Sequence, residues 1–295
     1  MQTNVLNFKK TRDFGDLLSD TFVFLKQEYK FLFRVILKYA GPFVLITAII
    51  GSWALSGIFS IFAKAIISNS EQAFTDLLLK LGIFSISLFV SNTILICTTY
   101  SYIKLYVEKG KDGFVEEEVW QIVLKKFWST LGTFIAIFVL VFIGMLLCYI
   151  PGIYISVATV LVLSSLVLED LSMTDSFGRS MFLIRDNWWF TFGVTIVISL
   201  LVGFCSYIFI IPSYILGIFV AISSANNNSS DLLNIIFTIM AAISICGISL
   251  LYAVPHITNS LLYYSQVEKK ESPDLINKID QINQEVSNKD EKPLY

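Results

Sequence analysis

The least generic pattern of reactive side chains in this chain is residues 168–189, LEDLSMTDSFGRSMFLIRDNWW. Glu169 and Asp170 close an apolar run, Arg179 and Arg185 follow on a helix-length segment, and Trp188 and Trp189 open the next run. Carboxylates beside guanidinium groups can pair and hold one helix to another, and the same arginines can clamp a phosphate. Arg179 and Arg185 lie six positions apart, about 120° round a helix, so they share no tight face, and either can reach Glu169, Asp170 or Asp186. A structural ion pair is the first expectation and contact with a lipid phosphate the second. Glu169, Asp170 and Arg179 would also supply a base and a phosphate clamp for headgroup chemistry, but no nucleophile or metal site accompanies them.

A second polar centre is His256, the single histidine, with Asn259 in the last apolar run and Asn92 in the second. An ionisable group inside a membrane points to function by default. A lone histidine with no acidic neighbour in any span is first read as a neutral hydrogen-bonding partner between helices; the alternative is a transporter or lipid-moving protein with a polar midplane path. No phosphate-cradling glycine loop, Cys/His metal spacing or serine elbow is present. The four cysteines, Cys97, Cys148, Cys205 and Cys246, fall inside apolar runs and read as small core hydrophobes. The expectation is therefore a chain with no catalytic residue and no cofactor.

The elements that must position these groups are apolar on a scale no single globular core could hide. Of 295 residues 55% are hydrophobic and 15% charged, where a soluble domain has about 25% charged; mean hydropathy is +0.72. A helix needs about 20 apolar residues to cross the bilayer. Six stretches qualify, near 39–63, 80–103, 130–150, 153–169, 190–222 and 232–266, between a segment at 1–38 and a tail at 268–295. The fold class is thus all-α, with six transmembrane helices. The last two are over-long, and Pro212 and Pro255 are where kinks are expected. Tyr149 and Tyr154 flank a Pro-Gly corner at 151–152, expected at outer headgroup depth; Trp120, Trp128, Trp188 and Trp189 suit the inner one.

With the N-terminus inside, every lysine and arginine of the 21 except Lys64 and Lys80 falls on the inner side, which places both termini in the cytoplasm. No secretory signal is visible, and the localisation expected is a bacterial cytoplasmic (inner) membrane. Asn227 and Asn228 begin formal glycosylation sequons, read as ordinary turn chemistry.

Each inner charged block reads as an amphipathic helix leading into a span. In the first, Phe14, Leu17, Leu18, Phe22, Leu25, Tyr29, Leu32 and Phe33 recur at helical spacing. The second opens on Glu116, Glu117 and Glu118 and ends at Lys125 and Lys126, and the third carries Ser172 and Asp175 at capping-box spacing. FWSTLG at 127–132 parallels WWFTFG at 188–193, so helix, span, turn and span are read as a unit repeated three times. Such helices would lie flat on the inner leaflet or wedge between the inner ends of the spans. Leu275, Ile276, Ile279, Ile282 and Val286 mark a short amphipathic helix in the tail.

Glu169, Arg179, Ser180, Trp189 and Phe192 carry a likeness to a known family. The span-ending glutamate, the Arg-Ser step and the aromatic start of the next span resemble the membrane domain attached to bacterial glycerophosphodiester phosphodiesterases and to related stand-alone polytopic families. The resemblance implies a six-helix membrane domain over roughly residues 14–265. It does not imply phosphodiesterase activity, whose separate soluble barrel is missing from this chain. Partners expected are membrane lipids and a membrane or cytoplasmic protein; nucleic acid is not, given the charge balance.

Overall fold

The computed structural model describes residues 6–55, 71–111, 113–225 and 231–271. The end of the first expected span, the sequons and the tail helix lie outside the described residues. Helices are the only regular elements among those described: α1 (Phe14–Tyr39), α2 (Gly41–Leu55), α3 (Glu71–Lys109), α4 (Glu116–Leu147), α5 (Tyr149–Ala158), α6 (Val162–Leu168), α7 (Met173–Ile184), α8 (Trp188–Ala225), α9 (Asp231–Leu251) and α10 (Ala253–Glu271). Five stretches are long and apolar enough to cross a membrane, or six when α1 and α2, bent by 59° at their junction, count as one.

Helix α1 shows how lipid rewrites amphipathic logic. Asp16 in its first turn and Lys38 in its last suit the macrodipole. Its buried stripe runs Leu17, Thr21, Phe24, Glu28, Leu32, Val35 and Ile36. Phe22, Tyr29 and Phe33, read on one apolar face with Leu17 and Leu32, are exposed, whereas Leu17 and Leu32 are buried. Hydrocarbon accepts these rings as readily as a protein core does, whereas Thr21 and Glu28 need partners and turn inward.

The three charged blocks differ. The first bends sharply into α2, the second continues unbroken from Glu116 to Leu147, and the third is a separate helix, α7. Ser172 caps α7 by accepting from the Asp175 amide at 3.3 Å. Helix α7 packs against α5 and α6. It runs antiparallel along α6 and α5, with Ser165 donating to the Ser176 carbonyl at 3.3 Å and Ser180 to that of Ala158 at 2.7 Å. That path brings the start of α8 to α5, where Trp188 stacks on Tyr154 with ring centroids 5.5 Å apart. The contact joins two rings that the sequence reading placed at opposite surfaces.

At the α4–α5 corner Cys148 is extended and the helices close tightly: a Cβ on Gly152 would sit 2.8 Å from the Met145 nitrogen, so only glycine fits. Helix α8 runs through Pro212 without a break. The last long run breaks at Tyr252, and Pro255 falls in the first turn of α10, where its missing N–H costs nothing. Of the cysteines only Cys97 is in the core; Cys148 and Cys205 are exposed and Cys246 is intermediate.

The main core gathers Leu17 and Phe24 of α1, Tyr102 and Tyr106 of α3, Val119 of α4, Leu183 of α7 and Leu261 of α10 around Phe8. Phe8 precedes the first helix and meets Phe24 edge-on at 5.2 Å and Tyr106 and Tyr264 at 5.8 Å. The packed centre thus lies on the charged side of the molecule, while α8 and α9 expose most of their large apolar side chains.

Candidate functional site

The acidic pair at the end of α6 is split between two ion-pair centres. Glu169 meets Arg179 of α7 at 2.7 Å, and Arg179 also grips Glu271 of α10 through both terminal nitrogens, one contact being 3.0 Å. A planar guanidinium bridging two carboxylates fixes three helix ends relative to one another. Asp170 takes no arginine. Its two oxygens receive Lys104 of α3 and Lys126 of α4, the latter at 3.2 Å. The expected pairing of Asp170 with Arg179 or Arg185 is corrected: the two lysines reach it first because α3 and α4 both end beside α6.

Arg185, the C-cap of α7, forms no ion pair among the described residues, with Glu169, Asp170 or Asp186. Asp186 goes to Lys270 at 2.8 Å. Asn187 donates to Gln266 at 3.0 Å, which ties the α7–α8 corner to α10. Trp189 stands 77% exposed, whereas the Trp188 indole N–H is buried without an acceptor among the described residues.

Three further charges, Glu28 and Arg12 buried and Lys38 exposed, carry no site expectation from sequence. Glu28 of α1 accepts from the Tyr102 hydroxyl at 2.9 Å and pairs with Lys111 at 2.9 Å. Arg12 is enclosed beside Asp20 at 2.8 Å. Lys38 joins α1 to α4 through Glu116 at 2.7 Å and Glu117 at 3.0 Å. The signal for Glu28 was available: it falls on the Leu17–Thr21–Phe24 stripe, where a charge must find a partner.

His256 and its neighbours are occupied within the fold. The Tyr100 hydroxyl lies 3.3 Å from His256 Nδ1, and Asn259 sits beside the same hydroxyl. Asn92 donates to the Leu88 carbonyl of its own helix at 2.9 Å, away from His256. Thr21 and Thr258 exchange a hydrogen bond at 3.2 Å, which joins α1 to α10. Among the described residues no three His, Cys, Asp or Glu side chains cluster as metal ligands.

The ion pairs leave a pH signature. Hydrogen bonds from Arg179 hold the Glu271 carboxyl below its ordinary 4.5, and Lys270 holds Asp186 below 3.8. Burial pushes Asp170 up, but hydrogen bonds from Lys104 and Lys126 outweigh it and leave it low. A carboxyl held below its unfolded value stabilises the fold above that value and loses the contribution as pH falls through the folded one. The thermal midpoint in detergent, followed by circular dichroism, is expected to hold level from neutral pH to about 4.5 and to fall below it. Glu271→Gln should flatten that acid limb; an unchanged limb would remove the clamp from the account.

The chain matches no family model, no curated protein and no solved structure.

Proposed function

We propose that this chain is a non-enzymatic, polytopic protein of a bacterial inner membrane, an accessory or scaffold that meets lipid and a protein partner at the inner face. The proposal includes six spans, both termini in the cytoplasm, helix-span-span units repeated three times with differently broken junctions, and kinship with the phosphodiesterase-attached membrane domain. What supports it is the ion-pair layer: Glu169, Asp170, Asp186 and Glu271 all face cations of other helices rather than a common reaction centre. Such a layer holds a surface in one shape, which suits a docking platform more than a catalyst. His256 Nδ1 and Asn92 Nδ2 find partners inside the fold, which gives the transport alternative less support.

Co-purification of the tagged full chain from native membranes tests the proposal. A reproducible partner in stoichiometric amount is the expected result, and a solitary chain in repeated preparations would count against a scaffold. Single cysteines placed at Lys111 and at Glu271 in a background without the native four should be labelled from the cytoplasmic side only; labelling from opposite sides would overturn the arrangement of spans.

A further inference from the structure

The corner between α5 and α8 forms a half-open groove of about 670 Å³ whose lining includes Ile150, Ile153, Arg185, Asp186, Trp188 and Trp189. That volume lies within the range of small-molecule sites, about 300–1,000 Å³. Its walls have two characters. Ile150 and Trp189 are 76% and 77% exposed and continue the apolar surface of α4 and α8. Arg185, at the polar end, is exposed and forms no ion pair among the described residues, and the buried Trp188 N–H has no acceptor there.

We propose that this groove is a headgroup site for an anionic glycerophospholipid, with the phosphate held by the Arg185 guanidinium and the Trp188 indole N–H and the chains laid over Ile150 and Ile153. A phosphate oxygen would satisfy a buried donor that otherwise costs free energy, and a guanidinium binds phosphate through paired charge-assisted bonds. The first-turn amides of α8, which start at Trp188, add positive partial charge. Lys270, hydrogen-bonded to Phe182 and paired with Asp186, and Lys269 over the Phe190 ring at 4.6 Å bring two more cations beside the groove, against the one Asp186 carboxylate. This excess selects a net negative headgroup over a zwitterionic one. Apolar walls continuous with the lipid-facing surface select a lipid over free phosphate.

The inference rests on the chain being embedded in lipid as proposed above, but it fails separately. Purified full chain in detergent is titrated with phosphatidylglycerol, phosphatidylcholine or inorganic phosphate, and bound lipid is counted by native mass spectrometry. One phosphatidylglycerol should bind in preference to phosphatidylcholine, and inorganic phosphate should not displace it. Arg185→Gln should weaken that binding about tenfold, the loss of a charge-assisted bond, with thermal stability unchanged because the side chain is exposed and unpaired. Trp188→Phe, which keeps the ring stacking and removes the donor, should weaken it a few-fold. Lys26→Gln, an exposed charge on α1, should leave it alone. Equal binding of the two lipids, an unaltered Arg185→Gln, displacement by phosphate, or an equal loss with Lys26→Gln would each overturn the site. A missing partner in co-purification would sink the scaffold and leave these outcomes standing.

Discussion

Replacing Asp170 with asparagine is expected to cost about 2–3 kcal/mol of stability, because one carboxylate serves two lysines that have almost no water. The Lys104 and Lys126 side chains are 9% and 11% exposed, and Asp170 is the acid that each of them pairs with. Removing one member of a buried pair costs about 3–5 kcal/mol. Asp170 itself is 53% exposed, so solvent carries part of the load and the lower range applies. Asparagine is the informative replacement because Asp170 has φ of +58°, a left-handed conformation that asparagine also adopts. Alanine should cost about 1–2 kcal/mol more through that backbone alone. Adding Lys104→Met to Asp170→Asn should recover part of the loss, since it removes an orphaned ammonium. Unfolding in detergent followed by circular dichroism measures all three. A loss below about 0.5 kcal/mol for the asparagine variant, the range of an ordinary surface change, would show that the lysines find water or another partner.

What could be read from the sequence divides by distance along the chain and by solvent. The Ser172 cap and the Glu169–Arg179 pair are local and follow from spacing. Glu271 as the second partner of Arg179 is 92 residues away and Asp170 is 66 from Lys104, so no pattern in the sequence relates them. Charge counting placed Lys104 and Lys126 on one side of the membrane without saying which acid they would find. Helical periodicity located α1 and its apolar face but did not separate the exposed Phe22, Tyr29 and Phe33 from the buried Leu17 and Leu32, because apolar spacing marks a face that avoids water and cannot tell lipid from protein. Polar residues on the stripe are the better marker of the interior, and Thr21 and Glu28 show it. Aromatic residues signal a membrane boundary but not which one. Tyr154 and Trp188 were therefore separated by sequence and stacked by the fold, once Ser180 had drawn α7 back along α5.

Arg12→Ala is expected to be at least as damaging, because it removes the centre of a structure that no helix supports. Residues 6–12 precede α1, and the Arg12 side chain is 1% exposed among them. Its Nε donates to Asp20 at 2.8 Å, one terminal nitrogen to the carbonyls of Phe8 at 2.7 Å and Lys10 at 3.1 Å, and the other to that of Asn7. The Arg12 amide donates to Ser265 of α10 at 2.9 Å, so the hook joins α1 to α10. With the guanidinium gone, the Asn7 and Lys10 carbonyls and the Asp20 carboxylate lose its donors, the Phe8 carbonyl keeps only the Lys10 amide, and Phe8 loses part of the turn that holds it among Phe24, Tyr106 and Tyr264. The combined loss is about 3–5 kcal/mol, that of breaking a buried charged network. Arg12→Lys should recover little, since one ammonium cannot reach these four acceptors in the geometry of a planar fork. Limited trypsin digestion gives a local readout, because release of the hook frees the backbone around Lys9 and Lys10, whose side chains are exposed already. Both variants should be cut there many times faster than the parent chain, before the helices unfold. Cutting at the parent rate, with stability lost, would mean that Phe8 packing holds the segment and the guanidinium only fills space.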